Sequence, residues 1–336
     1  MSAVVRIPYE QMEREFVRVL SKNGFEPRKA EHCAHIFASN SLDGVYTHGV
    51  NRFARFIRSV QEGQIKPDAE PQLKHGTGAI EQWDGGFGPG PLNAVFCTER
   101  AIELSAEYGI GCVAIGQTNH WMRAGYYGWK AARAGFVFIG WTNTIANMPA
   151  WGASDCHLGN NPVVLAVPYG NEAIVLDAAM SQFSYGTLES YRRQGEELPV
   201  PGGYDARGNL TTDAAAILRT ERVLPIGYWK GSGLALLFDM LATILSGGLS
   251  TKEITDRGSE HGLSQVFIAV DISQLGNQHI IPQTVNEIIR DYCGSKPADA
   301  AAQIRYPGER VLQSRKENLK NGIPVAQTLW DEIIGL

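Results

Sequence analysis

The chain has 336 residues, 44% hydrophobic and 19% charged, with a formal net charge of −5. That is enough for one large or two modest domains of ordinary globular composition. The acidic balance gives no electrostatic reason to expect nucleic acid or an anionic membrane as a partner. Cys33, Cys97, Cys112, Cys156 and Cys293 form no CxxC pair, so neither a zinc site nor a disulfide framework is signalled and a reducing cytosol fits best. The first ten residues lack the apolar core of a signal peptide. The run Leu234 to Leu245, interrupted by Asp239, is too short to span a bilayer and reads as a buried helix. The expected location is the cytoplasm.

The first third reads as helical. Met12, Phe16, Val19 and Leu20 recur at helical spacing and Gly24 ends that helix. Pro27 opens a second helix carrying Ala30, Cys33, Ala34 and Phe37. A third runs from Thr47 to Glu62 with Val50, Phe53 and Ile57 inward, which places His48 and Arg52 on one face. From residue 79 short apolar runs alternate with helices. The strands expected are Ala79–Trp83, Gly111–Ile115, Phe136–Trp141, Val163–Val167, Ala173–Leu176 and Gln265–Ile272. The helices expected are Leu92–Tyr108, Tyr126–Ala134, Gly233–Leu245 and Thr284–Cys293, with one or two more from Arg310. This alternation argues an α/β core with a mostly parallel or mixed sheet behind an N-terminal helical segment. Gly195–Thr212, rich in Gly, Pro and Asp, reads as a long surface loop. The expected lobes are 1–115 with 310–336, helical and carrying the substrate site, and 116–309, an α/β lobe for the cofactor.

Thr47-His48-Gly49 is the first candidate site. Histidine is the side chain best poised to give up a proton near neutral pH, Thr47 offers to orient it, and Gly49 allows a ligand close to the backbone. Arg52, one turn on, offers a carboxylate anchor. The plainer alternative is a helix-start histidine capped by Thr47, with Arg52 in a surface or interface salt bridge. His120, in Asn119-His120-Trp121 beyond an apolar strand, is a second candidate for substrate contact, since such positions line ligand crevices in α/β folds. The asparagines of Trp141–Thr144 and Leu158–Pro162 offer hydrogen bonds to a sugar acid or a nicotinamide amide, or simply form turns. Asp177 closes an apolar strand and suits either a ribose or a helix cap. Lys230 in Gly227–Gly233 opens an apolar helix, an arrangement suited to a pyrophosphate. Gly85–Pro91 tempts as a dinucleotide fingerprint, but Pro91 stands where the last glycine is required. It reads as a ligand-adjacent loop at most, and no other GxGxxG exists. His32 and His35 have no third ligand at a suggestive spacing, so no metal is expected. Asp239 reads as a buried hydrogen-bonding partner, near Lys230.

Gly44–Phe53, Ala79–Asp84, Asn119–Arg123, Phe183–Gly186 and Leu224–Gly233 together resemble the type-2 malate/L-lactate dehydrogenase family. These stretches run across nearly the whole length, and Asn-His-Trp-Met-Arg and Tyr-Trp-Lys-Gly-Ser-Gly are specific. The resemblance implies a non-Rossmann nicotinamide-binding fold with His48 as proton donor. It implies that NAD is contacted by Ile174, Val175, Leu176, Asp177, Ala178, Ala179 and Met180, by Lys230 and Gly231, and by Glu309, Arg310 and Val311. It also implies a homodimer with active sites near the subunit interface. The chain departs from the family pattern at Thr47, where serine stands, after Asp177, and in the side chains of 309–311. The expected activity is reduction of a 2-keto sugar acid by NADH, with NADPH as the alternative cofactor. Thr47, Arg52 and His120 would contact the substrate. Sister activities on malate, lactate, sulfolactate, ureidoglycolate or cyclic imines are the near rivals. A non-catalytic small-molecule binding protein is the rival of another class.

Overall fold

The helical spacing of the first apolar residues is realised as a core of its own. The computed structural model describes residues 3–299 and 303–336. After β1 (Val4–Ile7), α1 (Tyr9–Lys22) buries Met12, Phe16, Val19 and Leu20. In α2 (Pro27–Leu42) the proline takes a first-turn position, where its missing N–H is no loss. Phe16 stacks on Phe53 of α3 (Val50–Gln61), with ring centroids 4.0 Å apart. The chain end closes this core, since β13 (Ile323–Ala326) pairs antiparallel with β1 and α12 (Gln327–Gly335) adds Trp330 and Ile333.

The remaining elements are, in order, β2 (Gln72–Thr77), β3 (Ile80–Asp84), α4 (Gly90–Tyr108), β4 (Ile110–Thr118), α5 (Ala124–Arg133), β5 (Phe136–Thr142), β6 (Met148–Pro149), β7 (Cys156–Leu158), β8 (Val163–Tyr169) and β9 (Glu172–Ala178). There follow α6 (Tyr185–Gln194), β10 (Gly203–Tyr204), β11 (Leu210–Thr211), α7 (Ala214–Thr220), α8 (Trp229–Ser246), α9 (Thr251–Asp256), β12 (Leu263–Asp271), α10 (Ile281–Cys293) and α11 (Glu309–Asn321). Seven strands form one sheet in the order β2-β3-β4-β12-β5-β8-β9. The sheet is mixed, as one of the two expected forms, but not mostly parallel. Only β3 and β4 run parallel, because β12 returns late in the chain to insert antiparallel between β4 and β5. One face packs on α4 and α5 through Val113, Ile115, Tyr127, Phe138 and Phe267. The other carries the small residues of α8.

Two expectations need correction. The third helix does not begin at Thr47: Tyr46–His48 is a 3₁₀ turn, Gly49 breaks it, and α3 starts at Val50. Ser41 of α2 causes this, since its Oγ accepts the Val50 N–H at 2.8 Å and so caps α3. A Cβ on Gly49 would lie 2.2 Å from that oxygen, so the glycine serves packing against α2 rather than approach of a ligand. The second correction is α8. It buries Gly231, Ala235, Ala242 and Ser246 and leaves Leu237 and Ile244 at 54% and 70% exposure. Ala235 and Ala242 face the core together with Phe238, which packs on Trp141, while Leu236, Leu237 and Ile244 point away. Within the 195–212 loop, β10 and β11 form a two-residue ladder. No helix among the described residues is long and apolar enough to cross a membrane.

Candidate active site

The 3₁₀ turn and the end of β4 meet beside α3. His48 and His120 stack with ring centroids 5.6 Å apart and planes 23° from parallel. Thr47 Oγ1 lies 3.1 Å from His48 Nδ1, and Asn40 Nδ2 donates to the His48 carbonyl at 3.1 Å. The Met122 N–H donates to His120 Nδ1 at 2.9 Å, so the proton of the neutral ring sits on Nε2. Arg52 and His120 line a cavity of about 430 Å³ together with Arg55, Asn119, Ser259 and Glu260. His48, Arg52 and His120 are thus brought together, though not along one helical face.

Burial, reinforced by the positive charges of Arg52 and Arg123, lowers the His48 pKa to about 4. Burial first, then Arg52, also holds His120 well below its ordinary value. Both rings are therefore neutral at pH 7 in the free protein. Arg123 is buried and forms a tight ion pair with Asp43. Arg315 of α11 joins the same carboxylate at 2.6 Å. Such a network holds only because Asp43 compensates two guanidiniums.

The extra methyl of Thr47 points at Gly186, where a Cβ would stand 2.5 Å from Thr47 Cγ2. The absence of a side chain at 186 is what accommodates threonine in place of serine.

Of the three segments expected to hold the cofactor, Ile174–Met180 is met by the other two at its opposite ends. The Val175 N–H donates to the Pro307 carbonyl at 3.1 Å, with Gly308 against the Val175 backbone and Glu309 opening α11. Downstream, the Ile226 N–H donates to the Met180 carbonyl at 2.8 Å, which sets Met180 beside the start of α8 with Lys230 and Gly231. Gly231 is required there, since a Cβ would meet the Ile226 carbonyl oxygen at 2.2 Å. Asp177 accepts the Gly125 N–H at 2.7 Å and caps α5, the plainer of its two readings. Glu309 Oε2 is buried with no hydrogen-bond partner. The orphaned Glu309 oxygen at one end of this segment fits a ribose hydroxyl, and exposed Lys230 at the other end fits a phosphate, as a dinucleotide requires.

Other candidates are spent internally. Asn143 and Asn161 are fully buried. Asn143 bonds Asp239, Leu249 and Ser264, and Asn161 bonds Thr144 and Ala235. Asp239 accepts from Asn143 and Thr251 instead of pairing with Lys230. The 85–91 loop supports the site from behind, as Asn119 Nδ2 donates to the Phe87 and Gly88 carbonyls. His35 is turned to Tyr9 and Glu13. Sequence reading missed Glu260, whose Oε2 lies 3.3 Å from Arg52 Nη2. Its signal was a polar, glycine-bounded stretch, Gly258–Gly262, before an apolar strand.

The chain belongs to the malate/L-lactate dehydrogenase family, whose model matches residues 7–334. It is 45% identical to 2,3-diketo-L-gulonate reductase of Citrobacter koseri over 333 residues, 99% of this chain and 100% of that protein. Its structure is similar to sulfolactate dehydrogenase of Methanocaldococcus jannaschii, with a TM-score of 0.89, 27% identity, and coverage of 99% and 98% of the two chains. It is also similar to delta1-piperideine-2-carboxylate reductase of Pseudomonas syringae pvar. tomato, with a TM-score of 0.86, 25% identity, and coverage of 98% and 99%. The chain is thus an oxidoreductase of a family of nicotinamide-dependent dehydrogenases and reductases.

Proposed function

We propose that this member of the malate/L-lactate dehydrogenase family reduces a 2-keto sugar acid, 2,3-diketo-L-gulonate, with NADH, NADPH being the alternative. The observation that carries the reading is the stack of His48 on His120, which lines one cavity with Arg52. Its support is the full-length likeness to 2,3-diketo-L-gulonate reductase. When bound, the cofactor supplies the hydride. Ile174–Met180, Lys230–Gly231 and Glu309–Val311 hold it. Arg52 grips the carboxylate, His120 donates its Nε2–H to the carbonyl oxygen, and His48 delivers the proton that the oxygen takes up. Thr47 orients His48.

The test is NADH oxidation, followed by nicotinamide absorbance, with 2,3-diketo-L-gulonate against pyruvate, oxaloacetate and cyclic imines. We expect kcat/KM for the diketo acid to exceed the others by about tenfold or more. Preference for another acid or an imine assigns a sister activity instead. Binding without turnover of any compound makes the chain a binding protein.

Lys230 gives a separate check on the cofactor cradle. Lys230→Ala is expected to raise KM for NADH about tenfold and to leave KM for the keto acid within about twofold. An unchanged NADH dissociation constant by fluorescence titration removes Lys230 from the cradle.

The protein works as a cytoplasmic homodimer. Leu234, Leu236, Leu237, Met240, Leu241 and Ile244 all lie on α8 at 42–70% exposure, which is a face that a second copy would cover. Leu237→Glu with Ile244→Glu is expected to halve the mass measured by light scattering. A monomeric wild type contradicts the proposal.

A further inference from the structure

We infer that Glu260 sets the charge this site accepts, selecting a 2-keto acid with one carboxylate and an uncharged hydroxyl-bearing tail over a dicarboxylate; the inference rests on the reductase reading above. Arg52 and Arg55 reach the cavity from α3, and Glu260 faces them from the loop before β12. The charged groups acting on Arg52 are Glu260 and Arg55, and those acting on His120 include both arginines. With Arg58 paired elsewhere, the guanidiniums of Arg52 and Arg55 face the carboxylates of Glu260 and Glu62 across the cavity. Of the other charges lining the cavity, Arg58 pairs with Glu332 at 2.8 Å, while Glu62 accepts from the neutral Gln64 amide at 3.1 Å and keeps its negative charge.

A first substrate carboxylate, held by Arg52, leaves no unopposed cation for a second. A second would leave excess negative charge in a site where Glu260 is only 13% exposed and Arg52 26%, so screening by water is weak. Hydrogen bonding points the same way. Glu260 Oε2 is held by Arg52, while Oε1 has no partner among the described residues. An ionised carboxylate only accepts hydrogen bonds, so it receives a hydroxyl and turns away another carboxylate. The loop holds its place. Ser259 Oγ meets His261 Nδ1 at 2.9 Å, His261 packs on Phe87 with centroids 5.9 Å apart, and Gly262 turns at φ +76° against Arg257.

The test is Glu260→Gln, which keeps an acceptor toward Arg52 and removes the charge. Wild type and variant are compared with 2,3-diketo-L-gulonate, 2-ketobutyrate and oxaloacetate under saturating NADH. We expect kcat/KM for oxaloacetate relative to the diketo acid to rise about tenfold or more in the variant. The diketo acid should also lose ground to 2-ketobutyrate, which has no hydroxyl to offer. A ratio of oxaloacetate to diketo acid unchanged within about twofold overturns this inference and leaves the reductase reading standing. A wild type that reduces none of the three overturns both. If Glu260→Gln does not fold, exposed Arg55→Gln moves the balance the opposite way. The same ratio should then fall about tenfold, and an unchanged ratio overturns the inference.

Discussion

His48→Ala is expected to lower kcat for keto-acid reduction by about 10²–10⁴-fold while NADH still binds. The ring is the group best placed to deliver a proton, stacked on His120 and oriented by Thr47. Its pKa of about 4 decides how that proton arrives. Because the value is depressed, the free protein holds a protonated His48 only below about pH 4. Reduction consumes the protonated form, so kcat/KM for the keto acid should fall as pH rises through 5–8, by up to about tenfold per unit. Oxidation of the 2-hydroxy acid uses the neutral ring, which is already present across that range, so its kcat/KM should not show this fall. A bound carboxylate on Arg52 cancels one of the two charges that depress His48, so substrate binding raises its pKa and draws in a proton. In His48→Ala the pH slope of reduction should vanish together with the rate. Turnover like that of wild type in a folded variant would remove His48 from the role.

The elements whose inward face is regular were legible before the structure. The spacing of Met12, Phe16, Val19 and Leu20 and the apolar runs of β4, β5, β8, β9 and β12 each declare a buried side. What periodicity does not carry is the partner. The apolar run of α8 says that the helix is covered, not that Ala235, Phe238 and Ala242 meet the core while Leu237 and Ile244 stay exposed. The order β4-β12-β5 joins strands nearly 150 residues apart, and the antiparallel direction follows from that return. At the site, His48, Arg52 and His120 were found because their chemistry is conspicuous in short stretches. Glu260 was not, because its meaning comes from Arg52, 208 residues away in the chain. Arg123 stood in a stretch already singled out, yet its pairing with Asp43 rests on the C-cap of α2 and the N-cap of α5 meeting in space. Gly49 was visible, but the reason for it lies in Ser41 of the preceding helix.

Arg52→Lys is expected to weaken keto-acid binding and slow turnover together, lowering kcat/KM by about 10²-fold. Arg52 does two things at once. One nitrogen, Nη2, holds Glu260 at 3.3 Å, and the rest of the guanidinium remains for the substrate carboxylate. A planar fork can serve both carboxylates in fixed geometry. A lysine ammonium at the same place is a point charge that turns to Glu260 or to the substrate, and neither choice fixes the carbonyl beside His48 and His120. KM should therefore rise and kcat fall, in contrast to Lys230→Ala, where KM for NADH takes the loss. The discriminating measurement repeats the comparison on the amide of the keto acid, which has no carboxylate to grip. If Arg52 is the anchor, wild type and variant should differ by less than about threefold on the amide. An equal loss on both compounds would leave Arg52 as a partner of Glu260 alone. The anchor would then be His120 or an arginine of the second subunit.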